Sequence, residues 1–162
     1  MLASCASGAD MTEPAARPLA RRTPEMDDAD AELLTAATAL LDRVYVPGRH
    51  EVVAAMRTAD GAIHLGVHVD GSARRSSVCA EGVAAGLVIA HGAEVDGSGE
   101  VTSVLSVLRR VEGTTHVIEP CGVCAELLTD YWPDAGVWIT RGDDILRVSA
   151  ADLLPGKRTR RW

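Results

Sequence analysis

Residues 78–86 read VCAEGVAAG and residues 119–127 read EPCGVCAEL. Each places cysteine where a polar or strand-like stretch gives way to a helical run. The first continues to residue 92 as CAEGVAAGLVIAHG, a buried helix closing on Gly92. The second continues to residue 132 as CGVCAELLTDYW, a helix starting at Cys121. Each helix follows a strand-and-loop unit, so the pair predicts parallel helices on one face of a sheet with their N-termini adjacent. Cys79 and Cys121 are 42 positions apart (121 − 79), so any shared site would be assembled by the fold rather than by local sequence.

Outward from these helices the chain alternates between helical and strand periodicity. In DDADAELLTAATALLDRV (27–44), Leu33, Leu34, Ala37, Leu40 and Leu41 recur at helical spacing, with Asp28 or Asp30 able to cap the start. EVVAAMRT and AIHLGVHV are strand-like runs separated by ADG, a hairpin signal. VTSVLSVLRR is a β-branched strand, AGVWIT and ILRV are further strands, and SAADLLP reads as a short final helix capped by Ser149. The order α-β-β-α-β-α-β-β-α predicts a three-layer α/β/α domain. Its bounds are 29–156, preceded by a disordered extension over 1–28 and followed by a basic tail over 157–162. Met11 and Met26 are alternative starts within that extension.

Bulk properties narrow the function classes. The chain has 162 residues, enough for one substantial core and too few for two. Hydrophobic residues make up 47%, which argues against disorder through most of the length. No apolar run is long enough to span a bilayer. MLASC lacks the basic and apolar regions of a secretory signal, so a cytoplasmic location is expected. The net charge of −7 disfavours a polynucleotide partner, and the basic runs ARPLARR and GKRTRRW read as solvated tails or subunit contacts. A small-molecule substrate is expected, with no nucleic acid polymer and no membrane. Aromatic residues are 3%, with no Phe, so a pocket for a planar ring would lack its usual walls.

Cysteine in a reducing compartment points to a metal or a reactive site rather than to disulfides. Cys79, Cys121 and Cys124 can supply three thiolates to one Zn²⁺ and leave the fourth tetrahedral position to water. Helix N-termini favour thiolate over thiol. Glu81, two residues after the first ligand, would hang over the open position and could move a proton. By itself C-x-x-C also suits a structural zinc or a redox pair, and Glu early in a helix is often only a dipole partner. Cys5 lies in the extension, which leaves no evident fourth protein ligand for a closed site. Together, C-A-E and P-C-x-x-C form the three-Cys version of the zinc deaminase signature.

From about residue 30 to 156 the chain resembles the small, single-domain cytidine deaminase family and the related blasticidin-S deaminases. VYVPGRHEVVAAM is similar to the family's AYAPYSxFxVGAAL, GVHVDGS stands where the family has GCNVENA, and CAE, PCGVC and DLLPG match its motifs. The resemblance implies a five-stranded mixed sheet in the three-layer fold and a homotetramer or dimer with active sites at subunit boundaries. It also implies hydrolytic loss of ammonia from C4 of a cytosine-like ring. Cys79, Cys121 and Cys124 would then be zinc ligands, Glu81 the proton shuttle, and His50, His68, Asp70 and Ala80 substrate contacts.

Departures from the family bear on the substrate. His68 and Asp70 replace Asn and Glu of NVE, and His50 replaces a ring-stacking Phe. Gly82 and Ala125 stand where the family places the Arg that offsets thiolate charge, so a substitute is expected within ~6 Å of the sulfurs, from Arg74, Arg75 or Arg109. Arg74 and Arg75 would suit an anionic substrate or an intersubunit ion pair; Glu126 and Asp70 would suit a cationic, guanidinium-bearing antibiotic. Three functions remain in view: a cytosine-type nucleoside deaminase, a blasticidin-S-type deaminase, and a zinc-stabilised scaffold without activity.

Overall fold

The computed structural model describes residues 17–73, 76–94 and 99–158. Helix α1 (Asp28–Val44) is followed by β1 (Val52–Thr58), β2 (Ile63–Val67), α2 (Ala80–Glu94), β3 (Val101–Arg109), β4 (Thr115–Ile118), α3 (Gly122–Tyr131), β5 (Gly136–Arg141) and β6 (Asp144–Ser149). A 3₁₀ turn, Ala150–Leu153, closes the domain and is capped as expected by Ser149, whose hydroxyl accepts from the Asp152 N–H.

The strands form one mixed sheet in the order β2-β1-β3-β5-β6, with β4 also paired to β3. β1 is antiparallel to both β2 and β3. Those two strands therefore run parallel to each other, with α2 as the crossover between them. β3 and β5 are parallel, with α3 in their connection. Six strands stand where five were expected. The additional one, β4, is four residues ending just before Glu119-Pro120, too short for alternation to be visible. Its existence depends on the β3 edge that it pairs with, from Ser106↔Ile118 to Arg109↔Thr115.

Alternation along the central strands divides the core into two halves. Val53 and Ala55 of β1 pack with Leu33, Ala37 and Leu41 of α1, together with Leu105, Val107 and Trp138. Ala54 and Met56 pack instead with Ala80, Ala84, Ala85 and Val88 of α2, Leu128 of α3, and Val104 and Val137. This is the expected three-layer architecture, with α1 on one face and α2 and α3 on the other. Each fully buried leucine contributes roughly 2 kcal/mol, several times the i,i+4 or propensity terms available on the helix surface. Packing rather than intrinsic preference therefore holds α1.

Local signals were off by a few residues at the element ends. Asp27, not Asp28 or Asp30, caps α1 by accepting from the Asp30 N–H at 2.8 Å. Asp30 is buried and accepts a hydrogen bond from Ser103 at 2.6 Å. Helix α2 runs on to Glu94, past Gly92. The β1–β2 hairpin turns through Ala59-Asp60-Gly61 as expected, with Gly61 at φ +88°.

Two terminal segments differ from expectation. Residues 1–16 and 159–162, including Cys5, lie outside the described residues. Residues 17–27, read from sequence as part of a disordered extension, pack on the domain: the Ala20 N–H donates to Thr115 O at 2.7 Å, His116 Nδ1 lies 2.9 Å from Pro18 O, and Met26 is buried. Lys157, read as the start of a solvated tail, has only 13% of its side chain exposed and pairs with Asp130 at 2.5 Å. No helix among the described residues is long and apolar enough to cross a membrane.

Candidate functional site

The site lies where β3 changes neighbours along one edge. Its first half, through Leu105, pairs with β5; from Ser106 onward it pairs with β4. β5 must leave β3 at this point to admit β4, and it stays against β4, with the Thr140 hydroxyl donating to the Val117 carbonyl at 2.6 Å. Helix α2 starts beside this point, and α3 starts just after β4. Close packing sets the position of α2: a Cβ on Gly66 of β2 would lie 2.1 Å from Ala80 O and 2.5 Å from Ala84 N, so only glycine lets the helix sit this low.

The two helix starts bring the three expected cysteines together. The sulfurs of Cys79, Cys121 and Cys124 all lie within 4.8 Å of one another, and the Cys79 and Cys121 sulfurs are 3.7 Å apart. Cys121 is the residue before α3, in extended backbone, with its carbonyl accepting the first helical bond from Ala125. Burial pushes the Cys79 and Cys124 thiols above the ordinary range, and for Cys124 the Glu81 carboxylate adds to the effect. Burial also opposes ionisation of Cys121. There the backbone N–H groups of Cys124 and Val123 and the neighbouring thiols prevail, and the thiol is held below its usual range. Three clustered sulfurs, two of them costly to ionise alone, make a donor set that suits a soft or borderline cation such as Zn²⁺.

Glu81 follows in the first turn of α2 and is 4% exposed. Its Oε1 accepts a hydrogen bond from the Ser106 hydroxyl at 2.9 Å. Ser106 is itself buried on β3 and was not singled out from sequence, since a lone serine in VTSVLSVLRR carries no motif. A cavity of about 400 Å³ opens over the site, lined by Val52, His68, Ala80, Ile118, Glu119 and Pro120 together with Cys79, Cys121 and Glu81. Its walls are largely apolar, which suits the faces of a planar ring even without a Phe.

The other expected site residues are distributed as follows. Ala80 and His68 line the cavity, and His68 Nδ1 is buried without a hydrogen-bond partner among the described residues. His50 lies behind His68, with Nδ1 3.0 Å from the His68 carbonyl oxygen. Asp70 is held in its own loop by the Ser77 hydroxyl and the Gly71 N–H. Arg109 is committed to the α1 side: its guanidinium pairs with Asp42, donates to Thr115 Oγ1 at 3.2 Å and lies 5.5 Å from the Tyr45 ring centroid. Arg74 and Arg75 lie outside the described residues. Glu126 is on α3 beside Lys157, whose ammonium donates to the Glu126 carbonyl at 3.1 Å. Glu119 and its partner Arg17 were missed, because a single Glu before Pro and an Arg 102 positions away share no local pattern.

Three thiols and a buried carboxylate gathered at the starts of α2 and α3 form a donor set that could hold a metal ion within this three-layer domain. The chain belongs to the cytidine deaminase-like family. It is 32% identical over 143 residues to a blasticidin-S deaminase of Bacillus cereus, an alignment covering 86% of this chain and 99% of that protein. Among solved structures, cytidine deaminase from Burkholderia pseudomallei aligns with a TM-score of 0.62 at 30% identity, over 77% of this chain and 95% of that one. Cytidine deaminase from Bacillus anthracis aligns with a TM-score of 0.63 at 26% identity, over 78% and 86%. No protein-family model matches the chain.

Proposed function

We propose that the chain is a zinc-dependent hydrolytic deaminase that releases ammonia from the exocyclic amine of a cytosine-type nucleoside or related aminopyrimidine. The observation that carries this reading is the meeting of the Cys79, Cys121 and Cys124 sulfurs, within 4.8 Å of one another, in a cavity that Glu81 also lines. The three cysteines would hold the metal, and Zn²⁺ so bound supplies Lewis acidity that activates water at neutral pH.

The remaining chemistry falls to the chain's own groups. Ser106 holds Oε1 of Glu81, while Oε2 has no hydrogen-bond partner among the described residues and is free to carry a proton. Glu81 protonates the ring nitrogen as oxygen adds to the adjacent carbon. It then takes the hydroxyl proton and delivers it to the amine as the C–N bond breaks. The balance is one water consumed, one ammonia released and a carbonyl formed. Val52, Ile118 and Pro120 exclude water around the ring, and His68 and Ala80 meet its polar edge.

Likeness to blasticidin-S deaminase supports a second substrate choice within the same chemistry, blasticidin S itself. The outer face of α2 exposes Leu87 and Ile89, and α3 exposes Val123 at 76%. A second copy of the chain would bury them, in a dimer or tetramer located in the cytoplasm, where thiols stay reduced.

The test is ammonia release by the zinc-assayed protein from cytidine, deoxycytidine, cytosine and blasticidin S, with Glu81→Ala as control. Turnover of one compound, lost in Glu81→Ala while zinc is retained, is the expected result. Bound zinc with no ammonia from any of them would favour an inactive scaffold over this reading.

A further inference from the structure

The three cysteines are held with unequal firmness. Cys124 is buried within α3, and Cys79 is half-buried between the Val69↔Val78 bridge and Ala80, which Gly66 seats against β2. Cys121 is exposed, and Val123 after it is 76% exposed, so packing does little to fix this end of α3. Its approach is short as well: β4 has only four residues, and Glu119 and Pro120 alone separate it from Cys121.

Residues 17–20 tie this approach down from outside the sheet. The Ala20 N–H donates to Thr115 O at 2.7 Å, and His116 Nδ1 lies 2.9 Å from Pro18 O. Arg17 then grips Glu119 with both prongs, Nη1 to Oε2 at 2.6 Å and Nη2 to Oε1 at 2.8 Å. Positions 20, 18 and 17 thus meet 115, 116 and 119 in turn, a strap running antiparallel to β4 and ending on Glu119. Its root is fixed by buried Met26 and by Asp27, the cap of α1. A two-pronged Arg–carboxylate pair sets orientation as well as distance. Beyond it the proline ring fixes one backbone dihedral of residue 120 and confines Glu119 to extended geometry. Little slack is left between the grip on Glu119 and the Cys121 sulfur.

We propose that Arg17 is a positioning residue of the metal site: through Glu119 it holds the Glu119-Pro120-Cys121 segment so that the Cys121 sulfur stays clustered with those of Cys79 and Cys124. The inference rests on the metal-holding part of the deaminase reading and goes beyond it by making residues 17–20 part of the site's scaffold.

The experiment loads the full chain with zinc and follows its transfer to an excess of a chromophoric chelator. Arg17→Ala should release zinc about fivefold faster, near the upper limit for one half-exposed ion pair. Glu119→Gln should do the same. The double variant should be no faster than either single one, since both remove one shared tie. Arg17→Lys, which keeps the charge and loses the fork, should fall between. Arg22→Ala is the control: Arg22 belongs to the same strap but pairs with Asp28, away from β4. Its release should match wild type. Cobalt(II) loaded in place of zinc adds a signature that general destabilisation would not move. Thiolate-to-metal absorption should weaken or shift in Arg17→Ala and stay unchanged in Arg22→Ala.

Unchanged release in Arg17→Ala and Glu119→Gln, additive effects in the double variant, or equal acceleration in Arg22→Ala would overturn the proposal. Ammonia release by wild type alongside unchanged zinc release in the variants would leave the deaminase reading standing and this proposal fallen. Faster zinc release in both fork variants, with no ammonia from any compound tested, would do the reverse. A wild-type chain that takes up no zinc would sink both.

Discussion

Ser106 on β3 donates its hydroxyl to Oε1 of Glu81 at 2.9 Å, joining the sheet to the first turn of α2 through two buried side chains. The bond tethers Oε1 and leaves Oε2 without a hydrogen-bond partner among the described residues. Ser106→Ala should lower kcat about tenfold to a hundredfold, the range for a hydrogen bond to a charged group. KM and zinc content should be nearly unchanged, because Ser106 does not itself line the cavity and is not one of the three clustered sulfur donors. Ser106→Thr, which keeps the hydroxyl, should recover part of the rate. Steady-state kinetics on the three proteins decide it, and an unaltered kcat in Ser106→Ala would remove Ser106 from the mechanism.

Metal removal should cost stability as well as turnover. Cys79 and Cys121 belong to segments 42 positions apart in sequence, and a shared ion would hold both helix starts at once. At a thousandfold excess of free metal over Kd, binding contributes about 4 kcal/mol. Stripping the ion should then lower Tm on the order of 10 °C. Cys124→Ser should show the same drop without a chelator. Calorimetric melts with and without added Zn²⁺ are the measurement; coincident melts would mean the three thiols hold no metal.

Asp60, in the turn between β1 and β2, provides a pH test remote from the metal. The Thr58 hydroxyl, then His91 and the Ala62 N–H, hold its carboxyl well below the usual carboxylate range. A depressed folded value means the contribution is fully present above the unfolded aspartate range, near ~4. It is lost as pH falls through the lower folded value. Asp60→Asn should therefore cost stability at neutral pH, and the difference from wild type should close on acidification. Urea melts at several pH values between neutral and strongly acidic would show it. A difference that persists in acid would mean the hydrogen bonds, not the charge, matter.

Lys157 is expected to be structural. Its ammonium lies 2.5 Å from Asp130, whose side chain is only 11% exposed, and 3.1 Å from the Glu126 carbonyl oxygen. Removing one partner of such a pair leaves a poorly hydrated charge behind. Lys157→Ala should destabilise by about 3 kcal/mol, while Lys157→Ala combined with Asp130→Asn should recover much of it. A denaturant midpoint unchanged in the single variant would show that the C-terminal segment contributes nothing.

The residues legible in the sequence were those whose chemistry and spacing are local. Cys121 and Cys124 are one helical turn apart, and Glu81 follows Cys79 at the start of a helix, so type and position could be read together. The layer order was legible too, because α1 and β3 are long enough for their periodicity to show. What remained hidden was nonlocal. β4 exists only because β3 has a free edge from Ser106 to Arg109. Ser106 acquires its role from a helix 25 positions earlier, and Arg17 from a residue 102 positions later. A polar side chain in a strand does not announce which element will cross it. The arginine expected to offset thiolate charge illustrates the converse: Arg109 had a suitable charge, but its strand turns it toward Asp42 and Tyr45.

Gly66 lies under Ala80, the residue between Cys79 and Glu81, with no room for a methyl group. Its influence is thus exerted by an absence. Any mutation there inserts atoms between β2 and the opening turn of α2, and the helix must rise by a distance comparable to a bond length. Proton transfer and thiolate clustering both fail over displacements of that size. Position 66 should consequently resist evolutionary drift as strongly as the cysteines do, although it carries no reactive group. Descendants of this chain would be expected to change cavity-lining residues such as His68 long before they change the glycine that lets the helix approach the sheet.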